Sequence, residues 1–148
     1  MPSSIVLMNV ARGARLTAAL LAAVLVVAAC GDDNATTDTT DAIQFGEGTI
    51  PNSVPADFPI PADSVVGTTL VDKINNRTEF QLTIVADMTA TVQFFQVGLV
   101  NQGYIIDSSE GNSVAWTVTF SNGEIRGEIL ITPQTGQVST SVVSVNRS

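Results

Sequence analysis

The chain has 148 residues, with 6 Lys and Arg against 14 Asp and Glu, so its formal net charge is -8. That length suits one domain with a full core and is short for two. The acidic excess repels phosphate, which excludes nucleic acid as an expected partner. Histidine, the usual general base and the commonest metal ligand, is absent. We therefore expect no metal, no cofactor and no catalytic residue.

The N-terminal residues 1–29 have the composition of a signal peptide. Arg12 and Arg15 are followed by an uncharged, almost wholly apolar stretch, LTAALLAAVLVVAA, from Leu16 to Ala29. A membrane span needs about 20 apolar residues, whereas the apolar region of a signal peptide needs about 7–15. The length of the stretch therefore favours a cleaved signal peptide over a transmembrane helix.

The only cysteine of the chain, Cys30, directly follows the apolar stretch within the sequence VAAC, Val27 to Cys30. This tetrapeptide resembles the lipobox of bacterial lipoproteins: an aliphatic residue, two small residues and an invariant cysteine. The resemblance implies cleavage between Ala29 and Cys30, diacylation of Cys30 and a location on the extracytoplasmic face of the cell membrane. Two acyl chains suffice for stable anchoring. An uncleaved signal anchor with an incidental Cys30 is the alternative.

Two segments are predicted between the cysteine and the domain. Residues 30–50 contain five acidic residues, five threonines and no base, a composition that predicts a disordered, extended tether. Residues 51–63, PNSVPADFPIPAD, contain four prolines, which favour extended backbone. We interpret them as an entry strap whose Phe58 and Ile60 pack on the fold. A polyproline ligand for a partner is the alternative.

The domain is predicted to occupy residues 64–148 and to begin with two strands and a helix. SVVGTTLVDK and RTEFQLTIVAD are rich in β-formers and flank a turn at Asn75–Asn76. Asp87 then offers an N-cap, and Gly103 and Tyr104 fit the end of a helix. The helix between them carries an apolar face at helical spacing, formed by Met88, Val92, Phe95 and Leu99.

Four further strands are predicted after the helix: YIIDSS, SVAWTVTF, EIRGEILIT and QVSTSVVSV. The Asn122–Gly123 turn is a strong hairpin signal. The resulting order ββαββββ predicts an α+β fold, a two-layer antiparallel sheet with one helix packed on one face. One helix cannot cover six strands, so part of the sheet is expected to meet water.

Residues 54–146 also loosely resemble small lipoprotein and secreted domains of actinobacteria, through the entry VPADFPIPADS and the helix end FFQVGLVNQGYII. That resemblance implies the hairpin, helix and strand order described above, and no activity is inferred from it. The function expected is a non-catalytic binding or interaction module that meets an envelope protein or glycan. The alternative is a carrier or sensor of a small apolar ligand, lined by Phe94, Phe95 and Trp116. The carboxylate pairs Asp107–Glu110 and Glu124–Glu128 are interpreted as solvated surface charges.

Overall fold

The computed structural model describes residues 42–147. The predicted signal peptide, residues 1–29, the predicted lipidation site Cys30 and residues 31–41 of the predicted tether lie outside the described residues. Within residues 42–147 there are seven strands and one helix: β1 (Ile43–Glu47), β2 (Val65–Asp72), β3 (Arg77–Ile84), α1 (Met88–Asn101), β4 (Ile105–Gly111), β5 (Trp116–Ser121), β6 (Ile125–Gln134) and β7 (Val138–Arg147).

The seven strands form a single antiparallel sheet in the order β1-β2-β3-β7-β6-β5-β4. The last strand along the described chain, β7, therefore occupies the centre. Strands β4 to β7 are joined by short turns, whereas α1 carries the chain from β3 to β4, at the far edge of the sheet. This topology brings Phe80 of β3 opposite Val143 of β7.

The predicted order ββαββββ is found, and one additional strand precedes it. Residues 43–47 were expected to belong to the disordered tether, but they pair with β2 from Ile43↔Asp72 to Glu47↔Thr68. That expectation was wrong because the segment was judged by its average composition. Within it, Ile43 and Phe45 alternate with Gln44 and Gly46, which is the period of a strand.

The helix begins and ends at the predicted residues. The Asp87 carboxylate accepts a hydrogen bond from the Ala90 amide at 2.8 Å. At the other end Gly103 has a φ of 83°, and the Tyr104 amide donates to the Leu99 carbonyl at 3.0 Å. This is the hydrogen bond of a Schellman ending. Glycine is favoured at its C′ position because that residue has a positive φ, which glycine adopts without strain.

The core contains buried residues of the helix, the sheet and the strap. Val92, Phe95 and Leu99 of α1 belong to the same apolar cluster as buried residues of β3, β5, β6 and β7. Phe58 of the strap is buried as predicted, and its ring centroid lies 5.6 Å from that of Phe120. The core is thus closed by residues that precede the first predicted strand.

Gly98 lies inside the helix, next to the strap. A Cβ atom at Gly98 would lie 2.8 Å from the Cβ of Pro59. The strap therefore runs directly against the helix at this position, and the missing side chain makes room for it.

Candidate functional site

One face of the sheet carries side chains that alternate with the buried ones. Along β3, β5, β6 and β7 every second residue belongs to the core, and the residues between them are exposed or half-buried. We define the open sheet face by nine of these residues: Gln81, Thr83, Thr117, Thr119, Glu128, Leu130, Thr140, Val142 and Ser144.

The registers of the four strands arrange the open sheet face in transverse rows. Gln81 pairs with Val142, Val142 with Leu130, and Leu130 with Thr117. The adjacent row runs from Glu79 through Ser144 and Glu128 to Thr119. The surface thus combines two aliphatic side chains with hydroxyl, amide and carboxylate groups, which suits contact with a polar, hydroxyl-bearing or peptide partner.

The polar groups at the margins of this face bind one another. Arg77 donates to the Glu79 carboxylate at 2.5 Å and to the Ser144 hydroxyl at 3.1 Å. At the opposite margin the hydroxyls of Ser108 and Thr119 are 2.8 Å apart. The pair of Arg77 and Glu79 is exposed, so it contributes little to stability, but it does orient both side chains.

An edge groove of about 430 Å³ lies where β1 meets the open sheet face. Leu70, Gln81 and Val142 are among the residues that line it, and Phe45 of β1 forms one wall. The Phe45 side chain is 80% exposed, the largest exposed fraction among the large apolar residues of the described chain. Single exposed apolar residues are common on proteins, and Phe45 differs from the other exposed ones in its position beside this groove.

Two titratable groups near these elements have shifted pKa values. Hydrogen bonds from the Asn75 side chain and backbone lower the pKa of Asp72, which ends β2 and holds the following turn. Burial raises the pKa of Tyr104, and the nearby charge of Asp57 raises it further. Tyr104 lies in the core and the Asp72 carboxylate is engaged by the turn, so neither shift indicates acid–base chemistry on the open sheet face.

The three residues expected to line an apolar ligand site are not brought together. Phe95 is fully buried in the core. Phe94 contacts Phe95 with its ring centroid at 5.4 Å and lines a pocket of about 300 Å³ with Pro61 and Ile84. Trp116 lines a different pocket of about 370 Å³, and its indole N–H donates to Ser109 at 2.8 Å.

The carboxylate pairs of the sequence show surface roles in the structure. Asp107 accepts a hydrogen bond from the Ser121 hydroxyl at 3.0 Å, across the β4–β5 pair. Glu110, Glu124 and Glu128 are exposed. Residues 42–147 contain no group of three or more acidic, cysteine or histidine side chains arranged to hold a metal ion.

Sequence reasoning missed Phe45 and the groove beside it. The signal was present in the alternation of IQFGE, but an acidic, threonine-rich context on its N-terminal side concealed it. A window of five residues, instead of twenty, separates the strand from the tether.

No helix among residues 42–147 has the length and hydropathy required to span a bilayer.

The chain was also compared with known proteins. It matches no protein-family model, no curated protein and no solved structure.

Proposed function

We propose that this chain is a membrane-anchored extracytoplasmic lipoprotein and that its domain is a non-catalytic binding module of the cell envelope. The open sheet face is the single observation that carries the binding role. Four neighbouring strands present a surface without a covering element among residues 42–147, although one helix and the strap pack on core residues of the same strands. In this proposal helix and sheet form two layers, which leaves the second face for a partner.

The anchor rests on the sequence VAAC and on the apolar stretch before it. Twelve residues separate Cys30 from Ile43, the first residue of β1. An extended chain spans at most about 3.3–3.6 Å per residue, so this segment can hold the domain up to about 40 Å from a membrane. The open sheet face is then accessible to polymers and proteins of the envelope.

The anchoring part of the proposal is tested by the Cys30→Ala variant. Without the thiol there is no acylation site, so we expect the protein to leave the membrane fraction. The matched control is Ser3→Ala, which lies outside the lipobox and leaves fractionation unchanged. A cleaved Cys30→Ala protein that stays in the membrane fraction would contradict the lipid anchor.

The binding part is tested by capture from envelope fractions on the immobilised full chain. Leu130→Arg places a long cation in the middle of the open sheet face, whereas Val97→Arg places the same side chain on the exposed surface of α1. We expect an envelope protein or glycan to bind the parent and the Val97 variant and to bind the Leu130 variant at least tenfold less. Equal capture by all three proteins, or by none, would overturn the proposal.

The carrier function is a second candidate, supported only by the pocket beside Trp116. Met88 and Val92 are among its apolar lining residues. This pocket and the one beside Phe94 are separate, so a ligand would meet one of the two aromatic residues and not both. Binding of an apolar fluorescent probe that is lost in Trp116→Ala and retained in Phe94→Ala would favour this candidate.

A further inference from the structure

Among residues 42–147, strand β1 has an outer edge without a partner strand, and its register with β2 determines which backbone groups point to that edge. The Lys73 amide donates to the Ala42 carbonyl at 2.8 Å, and the Gly48 amide donates to the Gly67 carbonyl at 3.0 Å. Antiparallel strands exchange hydrogen bonds at every second pair. Residues 42, 44, 46 and 48 therefore bond to β2, and the backbone groups of Ile43, Phe45 and Glu47 point outward.

The outward groups find no partner within residues 42–147. β1 pairs with β2 alone, so three N–H donors and three C=O acceptors line this edge. All five residues of the strand are exposed. A row of unpaired backbone groups is a template for another strand. A segment that binds this edge must therefore adopt an extended β conformation.

The two edges of the sheet differ in their protection. β4, at the far edge, is interrupted by an irregularity between Ile106 and Ser108 and carries Asp107 and Glu110. Such bulges and charges prevent strands from pairing edge to edge. β1 has a continuous register with β2, contains neither proline nor lysine and has a single charged residue, Glu47, so it is the less protected of the two edges among residues 42–147.

The outer edge of β1 is complementary to itself. If two β1 strands are placed antiparallel with Phe45 opposite Phe45, then Ile43 lies opposite Glu47 on both sides of the centre. All three pairs are hydrogen-bonded pairs, because residues 43, 45 and 47 all point outward, and each pair exchanges two bonds. Every outward donor and acceptor is thereby satisfied.

The side chains agree with this arrangement. Phe45 would face Phe45 of the other copy on the same side of the sheet, and aromatic cross-strand pairs are favourable. The two Glu47 side chains lie at opposite ends of the pair, so their charges are separated. Each lies opposite Ile43 of the other copy, so no like charges face each other directly across the pair.

We propose that two copies of this chain pair through antiparallel β1 strands around a twofold axis at Phe45. The product is one continuous sheet of fourteen strands, in which the two open sheet faces adjoin on the same side. A second copy is the occupant because the hydrogen-bonding register and the pairing of Phe45 with Phe45 both match the strand to itself. The dimer does not depend on lipidation, so its test is independent of the anchor.

Disulfide trapping tests the register of the pair. In the full chain, purified in a mild non-ionic detergent, Cys30→Ser removes the native thiol and Phe45→Cys introduces a single new one. Across a hydrogen-bonded pair the Cα atoms lie about 5.5 Å apart, which a disulfide accommodates. We expect a rapidly formed covalent dimer on mild oxidation.

The neighbouring variant Gln44→Cys, in the same Cys30→Ser background, is the matched control. In the proposed register the two copies of residue 44 lie diagonally, with Cα atoms about 8 Å apart, beyond the reach of an unstrained disulfide. It should form the dimer at least tenfold more slowly. Equal rates for residues 44 and 45, or no dimer from residue 45, would overturn the register.

A charge at the centre of the pair tests the dimer without cysteines. Phe45→Lys places two like charges directly opposite each other, which destabilises a cross-strand pair, whereas Phe45→Leu keeps an apolar residue. Sedimentation of the full chain should give a dimer for the parent and for Phe45→Leu and a monomer for Phe45→Lys. A parent that stays monomeric at submillimolar concentration, or a Phe45→Lys protein that remains dimeric, would disprove the proposal.

Discussion

At the scale of single residues, Gly127 on β6 is the most closely packed glycine of the described chain. A Cβ atom there would lie 2.2 Å from Cζ of Phe120 and 2.7 Å from the Ser144 carbonyl oxygen. Phe120 is fully buried among other aromatic rings, so its ring has no free space to move into. The glycine is thus required by the close approach of the Phe120 ring and of the Ser144 carbonyl, and not by its own backbone conformation.

We therefore expect Gly127→Ala to destabilise the domain by about 1–3 kcal/mol through overpacking. Urea unfolding followed by the fluorescence of Trp116 measures the change. Phe120→Leu makes room for the new methyl group, so the double variant should be more stable than the sum of the single effects predicts. Strict additivity would show that the two residues do not meet.

Tyr104 presents the opposite situation, a polar group buried without a partner. Its hydroxyl has no hydrogen-bond partner among the described residues, while its ring packs edge-on against Phe120 at a centroid distance of 5.5 Å. An unsatisfied buried hydroxyl costs about 1–3 kcal/mol. Removing it should therefore be favourable.

Tyr104→Phe is expected to raise the free energy of unfolding by about 1 kcal/mol at neutral pH. The raised pKa of Tyr104 adds a pH dependence. Above the unfolded tyrosine pKa of about 10, the unfolded chain has lost a proton that the folded chain still holds, so stability falls as the pH rises. The difference in free energy of unfolding between the phenylalanine variant and the parent should thus grow in alkaline solution. A difference that stays constant between pH 8 and 11 would contradict this prediction.

At the scale of elements, α1 is joined to the centre of the sheet by one buried hydrogen bond. The hydroxyls of Thr91 on the helix and Ser139 on β7 are 2.7 Å apart, and both residues are buried. The bond fixes the first turns of α1 against the start of β7. This hydrogen bond contributes to stability mainly because it gives each of the two buried hydroxyls a partner.

Thr91→Val is expected to destabilise the domain by about 1–3 kcal/mol, because it leaves the Ser139 hydroxyl unpaired in the core. The double variant Thr91→Val/Ser139→Ala removes both hydroxyls and should recover most of that loss. Thermal and urea unfolding of the parent, the two single variants and the double variant give the coupling energy. A double variant no more stable than Thr91→Val would show that the hydrogen bond is not the cause.

These elements also show what the sequence could predict. The ends of α1 were predicted correctly because Asp87 and Gly103 act through bonds to residues a few positions away. Strands with clear alternation, such as β3 and β5, were predicted for the same local reason. The pairing of β3 with β7 joins residues about sixty positions apart, and the sequence contains no local signal for it. Phe45 was missed because its strand has only five residues.

At the scale of the whole molecule, the strap links the beginning of the domain to its end. The Ser53 carbonyl accepts a hydrogen bond from the Arg147 guanidinium at 3.1 Å, and the Ser53 hydroxyl lies 2.7 Å from that of Thr78. The Arg147 amide donates to the Asn76 carbonyl at 3.1 Å. Residues from both ends of the described chain thus converge at one corner of the sheet.

The central position of β7 determines when the domain is able to fold during synthesis. Ribosomes deliver the N-terminal strands first, yet β3 and β6 meet only through β7, which follows all other strands of the described chain. Until β7 emerges, β1 to β3 and β4 to β6 lack the strand that joins them, and neither set can complete the shared core. A nascent chain with this strand order cannot close its sheet until β7 is available.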